Sequence, residues 1–255
     1  MLSKFLLSLF SILTLLTSCQ QQAKHYPYLI KVANCPDCFA RLHHPGPIDT
    51  AEIRAGQLVF AGTVTQPDVY SVNVRSDTDK TINIHAEIYL PADSIQITLL
   101  PKDQQKRTFY HIYQRLEIGS YLRNATVFST SPQQKELERY LYLNDSLWNK
   151  YFVDRSLLTA KMVQTYDSGN RALIEQWSDS ARKFETRFPD YMAYSAVLFA
   201  KQHPHSELTA YALLDNTHNR PDVKIIQPYY RALPDSLKQS YFGQQLAAKL
   251  EELQQ

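Results

Sequence analysis

Ser131-Pro132-Gln133-Gln134-Lys135-Glu136-Leu137-Glu138-Arg139-Tyr140-Leu141 is where the hydrophobic period of this chain changes. Ser131 and Gln134 have the spacing of a capping box. Pro132 falls at the first helical position, where a missing N–H costs nothing. Beyond it Leu137, Tyr140, Leu141, Leu147, Trp148, Tyr151 and Phe152 recur at steps that one helical face accepts. A second run, Leu173, Trp177, Ala181, Phe184 and Phe188, follows a break at Asp167-Ser168-Gly169-Asn170. Pro189-Asp190, His203-Pro204, Asn219-Arg220-Pro221 and Leu233-Pro234-Asp235 divide the remainder into helices of about 10 to 20 residues. Stripes this wide bury helix against helix, so residues 131–255 are expected to form a helical bundle.

Upstream the period is two. Tyr28-Leu29-Ile30-Lys31-Val32, Gln57-Leu58-Val59-Phe60, Val69-Tyr70-Ser71-Val72-Asn73-Val74 and Thr81-Ile82-Asn83-Ile84-His85 are short and rich in β-branched and aromatic residues. Several alternate apolar with polar, as a half-buried antiparallel strand does. Further strands are expected through Ser94 to Leu100 and through Phe109 to Ile118. About seven short strands at this spacing suggest a sandwich or a curled barrel. The expected class is therefore α+β: an N-terminal antiparallel β-sandwich or barrel-like domain over 27–120, then a C-terminal α-helical bundle over 131–255.

Composition excludes several functions. The 27 Lys+Arg and 25 Asp+Glu are interspersed, without the basic stripe that nucleic-acid binding needs. The six glycines are too widely spaced for a dinucleotide fingerprint or a P-loop, so no nucleotide is expected. Neither Gly-x-Ser-x-Gly nor His-Glu-x-x-His occurs. His85, His111 and His218 stand alone in sequence. Of the 17 Tyr, Tyr140, Tyr151 and Tyr241 fall on helical stripes, where core packing is the default role. No cofactor is expected.

The N-terminus carries an address. Lys4 precedes the apolar run Phe5 to Leu16, roughly 12 residues, which suits a secretory signal and is too short to span a bilayer. Leu16-Thr17-Ser18-Cys19 resembles the lipobox of bacterial lipoproteins, in which the chain is cleaved before a lipidated Cys. Residues 1–18 are thus expected to be a lipoprotein signal peptide and 19–26 a tether, with Cys19 as the lipidation site and the membrane as its partner. No acidic residue follows Cys19 closely, which favours a cell-envelope protein anchored in the outer membrane and facing the periplasm.

Cys35-Pro36-Asp37-Cys38 is the one chemical constellation. Once lipid takes Cys19, two thiols remain in an oxidising compartment, and a disulfide stapling the turn of the first hairpin is the favoured reading. The rival is a redox dithiol. That chemistry uses a helix N-terminus to stabilise the thiolate, whereas the flanks here read as strand. Zinc on Cys35, Cys38 and one of His43 or His44 is a third reading; adjacent His on a strand point to opposite faces, and no metal site is expected.

Asp49-Thr50-Ala51-Glu52-Ile53 followed by Gly56-Gln57-Leu58-Val59-Phe60-Ala61-Gly62-Thr63-Val64 resembles the β-domain of unknown function 4369 of Bacteroidetes lipoproteins. Gly119-Ser120 matches the pair that closes it. His203-Pro204-His205-Ser206 and Ser240-Tyr241-Phe242-Gly243-Gln244-Gln245-Leu246 resemble the helical spacer that follows. In many relatives that spacer leads into a thioredoxin-like thiol-disulfide oxidoreductase domain; here no Cys follows Cys38, so the resemblance implies the front end without that module. It also suggests a thioredoxin-like envelope protein as partner. The expected function is a non-enzymatic binding or scaffolding module. The alternative is thiol-disulfide exchange or redox sensing through Cys35 and Cys38.

Overall fold

The computed structural model describes residues 26–33, 35, 37–43, 49–50, 52–54, 57–76, 78, 83–90, 94–99, 109–110, 117–118, 125–218 and 221–254. An N-terminal β region precedes a C-terminal region of seven described helices. The strands are β1 (Tyr26–Ala33), β2 (Cys38–His43), β3 (Asp49–Thr50), β4 (Glu52–Arg54), β5 (Gln57–Val64), β6 (Asp68–Ser76), β7 (Asn83–Leu90), β8 (Ile95–Leu99), β9 (Phe109–Tyr110), β10 (Glu117–Ile118) and β11 (Ala125–Ser129). One sheet runs β11-β8-β1-β5-β4, the other β3-β2-β6-β7, and β9 and β10 pair separately.

The alternation read from sequence is what joins the two large sheets. Tyr28, Ile30 and Val32 of β1 and Ile95, Ile97 and Leu99 of β8 are buried on one side. Ala40 and Leu42 of β2, Tyr70, Val72 and Val74 of β6, and Ala86, Ile88 and Leu90 of β7 come from the other, and all belong to one core. Each fully buried aliphatic side chain contributes about 1.5–3 kcal/mol, so a one-residue slip of β6 would forfeit several at once. Gly62 of β5 sits opposite Tyr28, where a Cβ would stand 2.7 Å from the tyrosine hydroxyl.

Three expectations about the β region change. β1 and β2 form no hairpin: β1 pairs with β5 and β8, while β2 pairs with β3 and β6, so the chain crosses between sheets at Cys35–Cys38. The β1/β8 ladder, Ile30 against Ile95, is parallel. β11 lies beyond residue 120 and completes the first sheet against β8, Val127 opposite Ile97.

The helices are α1 (Pro132–Asp167), α2 (Arg171–Thr186), α3 (Phe188–Gln202), α4 (Glu207–Thr217), α5 (Val223–Ala232), α6 (Asp235–Lys238) and α7 (Tyr241–Glu252). α1 holds 36 residues, about 54 Å at 1.5 Å each, more than twice the 16 residues of α2. It ends where turn chemistry demands: Gly169 adopts φ 68°, and Asn170 caps α2 by accepting from Leu173 N–H. No residue of α2 is fully buried, so its apolar stripe only half-covers the far end of α1, with Phe184 stacked on Tyr151 at 4.9 Å. The deep core of the bundle lies in Leu137, Tyr140, Phe199, Leu208, Leu213, Ile226 and Leu246, and Tyr89 of β7 inserts into it.

The bundle meets the second sheet at one corner, where Tyr89 of β7 and Val69 of β6 pack into the bundle core. Gln134 makes that contact. Ser131 Oγ accepts from Gln134 N–H at 3.3 Å, the first half of the expected capping box. The return half is absent, because Ser131 N–H donates to Ser129 Oγ at 3.1 Å and the Gln134 amide is used elsewhere. Gln134 Oε1 accepts from Tyr89 N–H at 2.7 Å, and Gln134 Nε2 donates to Glu87 O at 3.3 Å. β7 is an edge strand, and these are two of its unpaired backbone groups. One buried glutamine thus acts as the next strand.

Gln134→Leu leaves a buried N–H and a buried C=O without partners and is expected to cost roughly 2–4 kcal/mol in urea unfolding. Ser131→Ala, which removes the cap and a part-buried hydrogen bond to Gln133, is expected to cost about 1 kcal/mol. Equal losses for the two variants would contradict the strand-like role of Gln134.

Candidate functional site

A cleft of about 420 Å³ opens where the start of β6 meets α4 and α7. Asp68 lines it from the sheet, Tyr211 and Asp215 from α4, His218 from just past the end of α4, and Tyr241, Lys249 and Glu252 from α7. Its size is within the range of small-molecule sites, and it lies between two structural units, where such sites concentrate.

Each wall has a local cause. Ser240 caps α7 by accepting from Gly243 N–H at 3.2 Å. Gly243 lets that first turn close on α6: a Cβ there would overlap the Leu237 carbonyl oxygen and stand 2.7 Å from that of Lys238. α4 is capped by Ser206, which accepts from Leu208 N–H at 3.1 Å and donates to Glu136 of α1 at 2.5 Å. Tyr211 and Asp215 are four residues apart, one helical turn, and so share the face turned to the sheet.

Behind the cleft runs a buried polar chain. Asn216 Nδ2 donates to Tyr140 Oη at 2.7 Å, and the Tyr140 hydroxyl donates to Asp215 Oδ2 at 2.5 Å. Ser195 Oγ donates to Asn144 Oδ1 at 3.1 Å and receives Asn216 Nδ2 at 3.3 Å. Tyr211 Oη donates to Glu87 Oε2 at 3.3 Å, and Tyr89 Oη to Glu207 Oε2 at 2.9 Å, both across the sheet–helix junction. The Tyr241 hydroxyl is bonded to Asp68, which also accepts from its neighbour Val69 N–H at 2.7 Å.

Burial dominates the electrostatics. It lifts Asp215 from the ordinary 3.8 to about 6, the charge of Glu87 adds to the lift, and the Tyr140 hydrogen bond and His218 oppose it. Tyr140 and Tyr211 are pushed well above the usual phenol range, first by burial and then by Asp215. Among the described residues, no lysine or arginine pairs with Asp215. Lys249, the lysine of the wall, is held by Glu252 at 2.7 and 2.6 Å.

Cys35 and Cys38 are joined as a disulfide, with Cα atoms 5.4 Å apart. Both belong to the sandwich core, 8% and 6% exposed, and Cys38 N–H bonds to Cys35 O at 3.4 Å. With both sulfurs in one bond, neither is a thiolate ligand for zinc. Cys19 and His44 lie outside the described residues. Among the described residues, no cluster of three metal-ligating side chains occurs.

His85 is not isolated in space. Its Nδ1 lies 2.9 Å from Asn73 Oδ1 and its Nε2 3.3 Å from Ser71 Oγ, an order reminiscent of a serine nucleophile, base and orienting amide. The backbone around it is a regular ladder, however: β6 is paired on both edges, with β2 and with β7. Its N–H groups are committed to those strands and leave no oxyanion donors beside Ser71. The trio is a cross-strand polar contact.

Sequence reading singled out none of Asp68, Asp215, Lys249 or Glu252 of the cleft as site residues. The readable trace was Asp215 itself, a carboxylate one turn after Tyr211 in the otherwise apolar run Ala210 to Leu214. Comparison of the chain with protein-family models, curated proteins and solved structures finds no match.

An acid whose folded value is raised holds its proton more tightly when native, so stability falls as pH rises from about 4 to about 6 and stays reduced above. Asp215→Asn keeps an acceptor for Tyr140. It is expected to flatten that slope and to stabilise the protein at pH 7.5 by up to about 3 kcal/mol. Thermal unfolding across pH 4–8 checks this; a less stable variant at pH 7.5 would contradict the assignment.

Proposed function

We propose that this chain is a periplasm-facing envelope lipoprotein, held in the outer membrane through lipid on Cys19, and that its folded part is a non-enzymatic binding module. The observation that carries the binding reading is the cleft at the sheet–helix junction: concave, lined by tyrosines and carboxylates, and built on regular elements. Its groups provide recognition without a nucleophile beside a base. The address rests on the segment from Lys4 to Cys19; among the described residues no helix is long and apolar enough to cross a membrane. The resemblance of residues 49–64 to the β-domain of unknown function 4369 makes a thioredoxin-like envelope protein the first macromolecular partner to try.

Thiol-disulfide exchange through Cys35 and Cys38 is the rival. Exchange begins with attack of a thiolate on an accessible sulfur, and the burial of both cysteines in the sandwich core weighs against it.

Ala248 lines the cleft from α7 and is otherwise exposed, so Ala248→Trp narrows the site without disturbing the core. Full-length protein in detergent, screened by thermal shift against envelope peptides, amines and glycans, is expected to yield a ligand that raises Tm in the wild type and not in Ala248→Trp. Ligands that stabilise both proteins equally would place binding elsewhere and overturn the reading.

A further inference from the structure

The cleft carries an electrostatic imbalance. Asp215 is half-buried at its base, hydrogen-bonded on Oδ2 by Tyr140 and facing the charge of Glu87 behind it. A carboxylate taken out of water and left without a cation is unfavourable, and a protein tolerates it where something else supplies the charge. Among the described residues no lysine or arginine pairs with Asp215, Lys249 being engaged by both oxygens of Glu252, and the opposing effect of His218 does not offset the lift from burial and Glu87. Around the carboxylate stand Tyr211, Tyr241 and Phe242, whose rings offer apolar surface and electron-rich faces that attract cations. A volume of about 420 Å³ accepts an organic group of several heavy atoms, more than a bare metal ion needs, and among the described residues no metal cluster forms.

We infer that the cleft binds a protonated amine or guanidinium group carried on an apolar stem, with Asp215 as its counter-ion and the tyrosines beside the stem. Such a group comes either from a basic side chain of a protein partner or from a free polyamine. The inference rests on the binding-module reading and names its ligand chemistry.

Binding then follows the charge of the site. Asp68 faces it from β6, Glu87 from β7, Tyr140 from α1, Tyr211 and Asp215 from α4, His218 from the C-cap of α4, and Tyr241, Lys249 and Glu252 from α7. As pH falls below about 6, Asp215 takes up a proton and affinity drops by about 10-fold per pH unit. Whatever pH dependence persists in Asp215→Asn belongs to the other charged groups that face the cleft.

The test is calorimetric titration of full-length protein in detergent with three probes: acetyl-Gly-Arg-Gly-amide, the same peptide with neutral citrulline replacing arginine, and spermidine. At pH 7.5 the arginine peptide or spermidine is expected to bind, with citrulline at least 10-fold weaker. Asp215→Asn is expected to lose at least 10-fold, and since it is the more stable protein at this pH, its loss is not unfolding. Lys249→Ala, which removes the lysine charge from the wall, is expected to bind several-fold more tightly. Preference for the peptide identifies a basic side chain as the source, and preference for spermidine a free amine. Equal binding of arginine and citrulline, undiminished binding by Asp215→Asn, or no binding of either cation overturns the inference. A neutral ligand sensitive to Ala248→Trp, alongside absent cation binding, would sink this inference and leave the binding module standing; absence of any such ligand sinks both.

Discussion

The Gln134 side chain is the constraint on which the arrangement depends. β7 ends one sheet of the sandwich, and the N–H of Tyr89 and C=O of Glu87 point away from β6. Left bare, those groups invite another strand; buried without partners, they would cost several kcal/mol. Gln134 meets both with one amide. Because it sits in the first turn of α1, a hydrogen-bonded pair on the sheet edge fixes where the longest helix begins and therefore where the bundle lies. Tyr89 adds to the constraint, with its backbone on Gln134, its hydroxyl on Glu207 and its ring in the bundle core.

The cleft follows from that placement. With α1 fixed, α4 packs so that Tyr211 and Asp215 look toward Glu87, and α7 closes over the end of β6 through Tyr241 and Asp68. The junction is polar. Tyrosines satisfy carboxylates from both sides, yet Asp215 keeps a raised affinity for its proton. Replacing a buried charge with a neutral residue of the same shape often stabilises a protein. Retention of the carboxylate at such a cost in stability is a trade that binding a cation would explain.

The sequence made the local periods legible and the long-range pairings not. The alternation in Val69 to Val74, the break at Asp167 to Asn170 and the capping serine at 131 all express short-range chemistry and reappear in the fold. The separation of β1 from β2 into different sheets has no local signature, because either strand would satisfy its alternation as half of a hairpin. β11 is five residues long, and Phe128 on it is 69% exposed, too weak a pattern to separate from a linker. Gln134 looked like the return half of a capping box because that contact is three residues away, whereas its actual partners are 45 and 47 residues away. Asp215 was hidden for the same reason: its environment is assembled from β6, β7, α1 and α7.

Amide hydrogen exchange at Tyr89 tests the weld between sheet and bundle most directly. An edge-strand amide ordinarily exchanges through local fraying, while one bonded to a buried side chain opens only with the whole fold. Tyr89 N–H is predicted to be protected to within about 1 kcal/mol of Val72 N–H in the centre of β6, and to lose that protection in Gln134→Leu. Fast exchange at Tyr89 in the wild type, with Val72 still protected, would mean that the bundle is not anchored through Gln134 and that the cleft is not a fixed feature of the molecule.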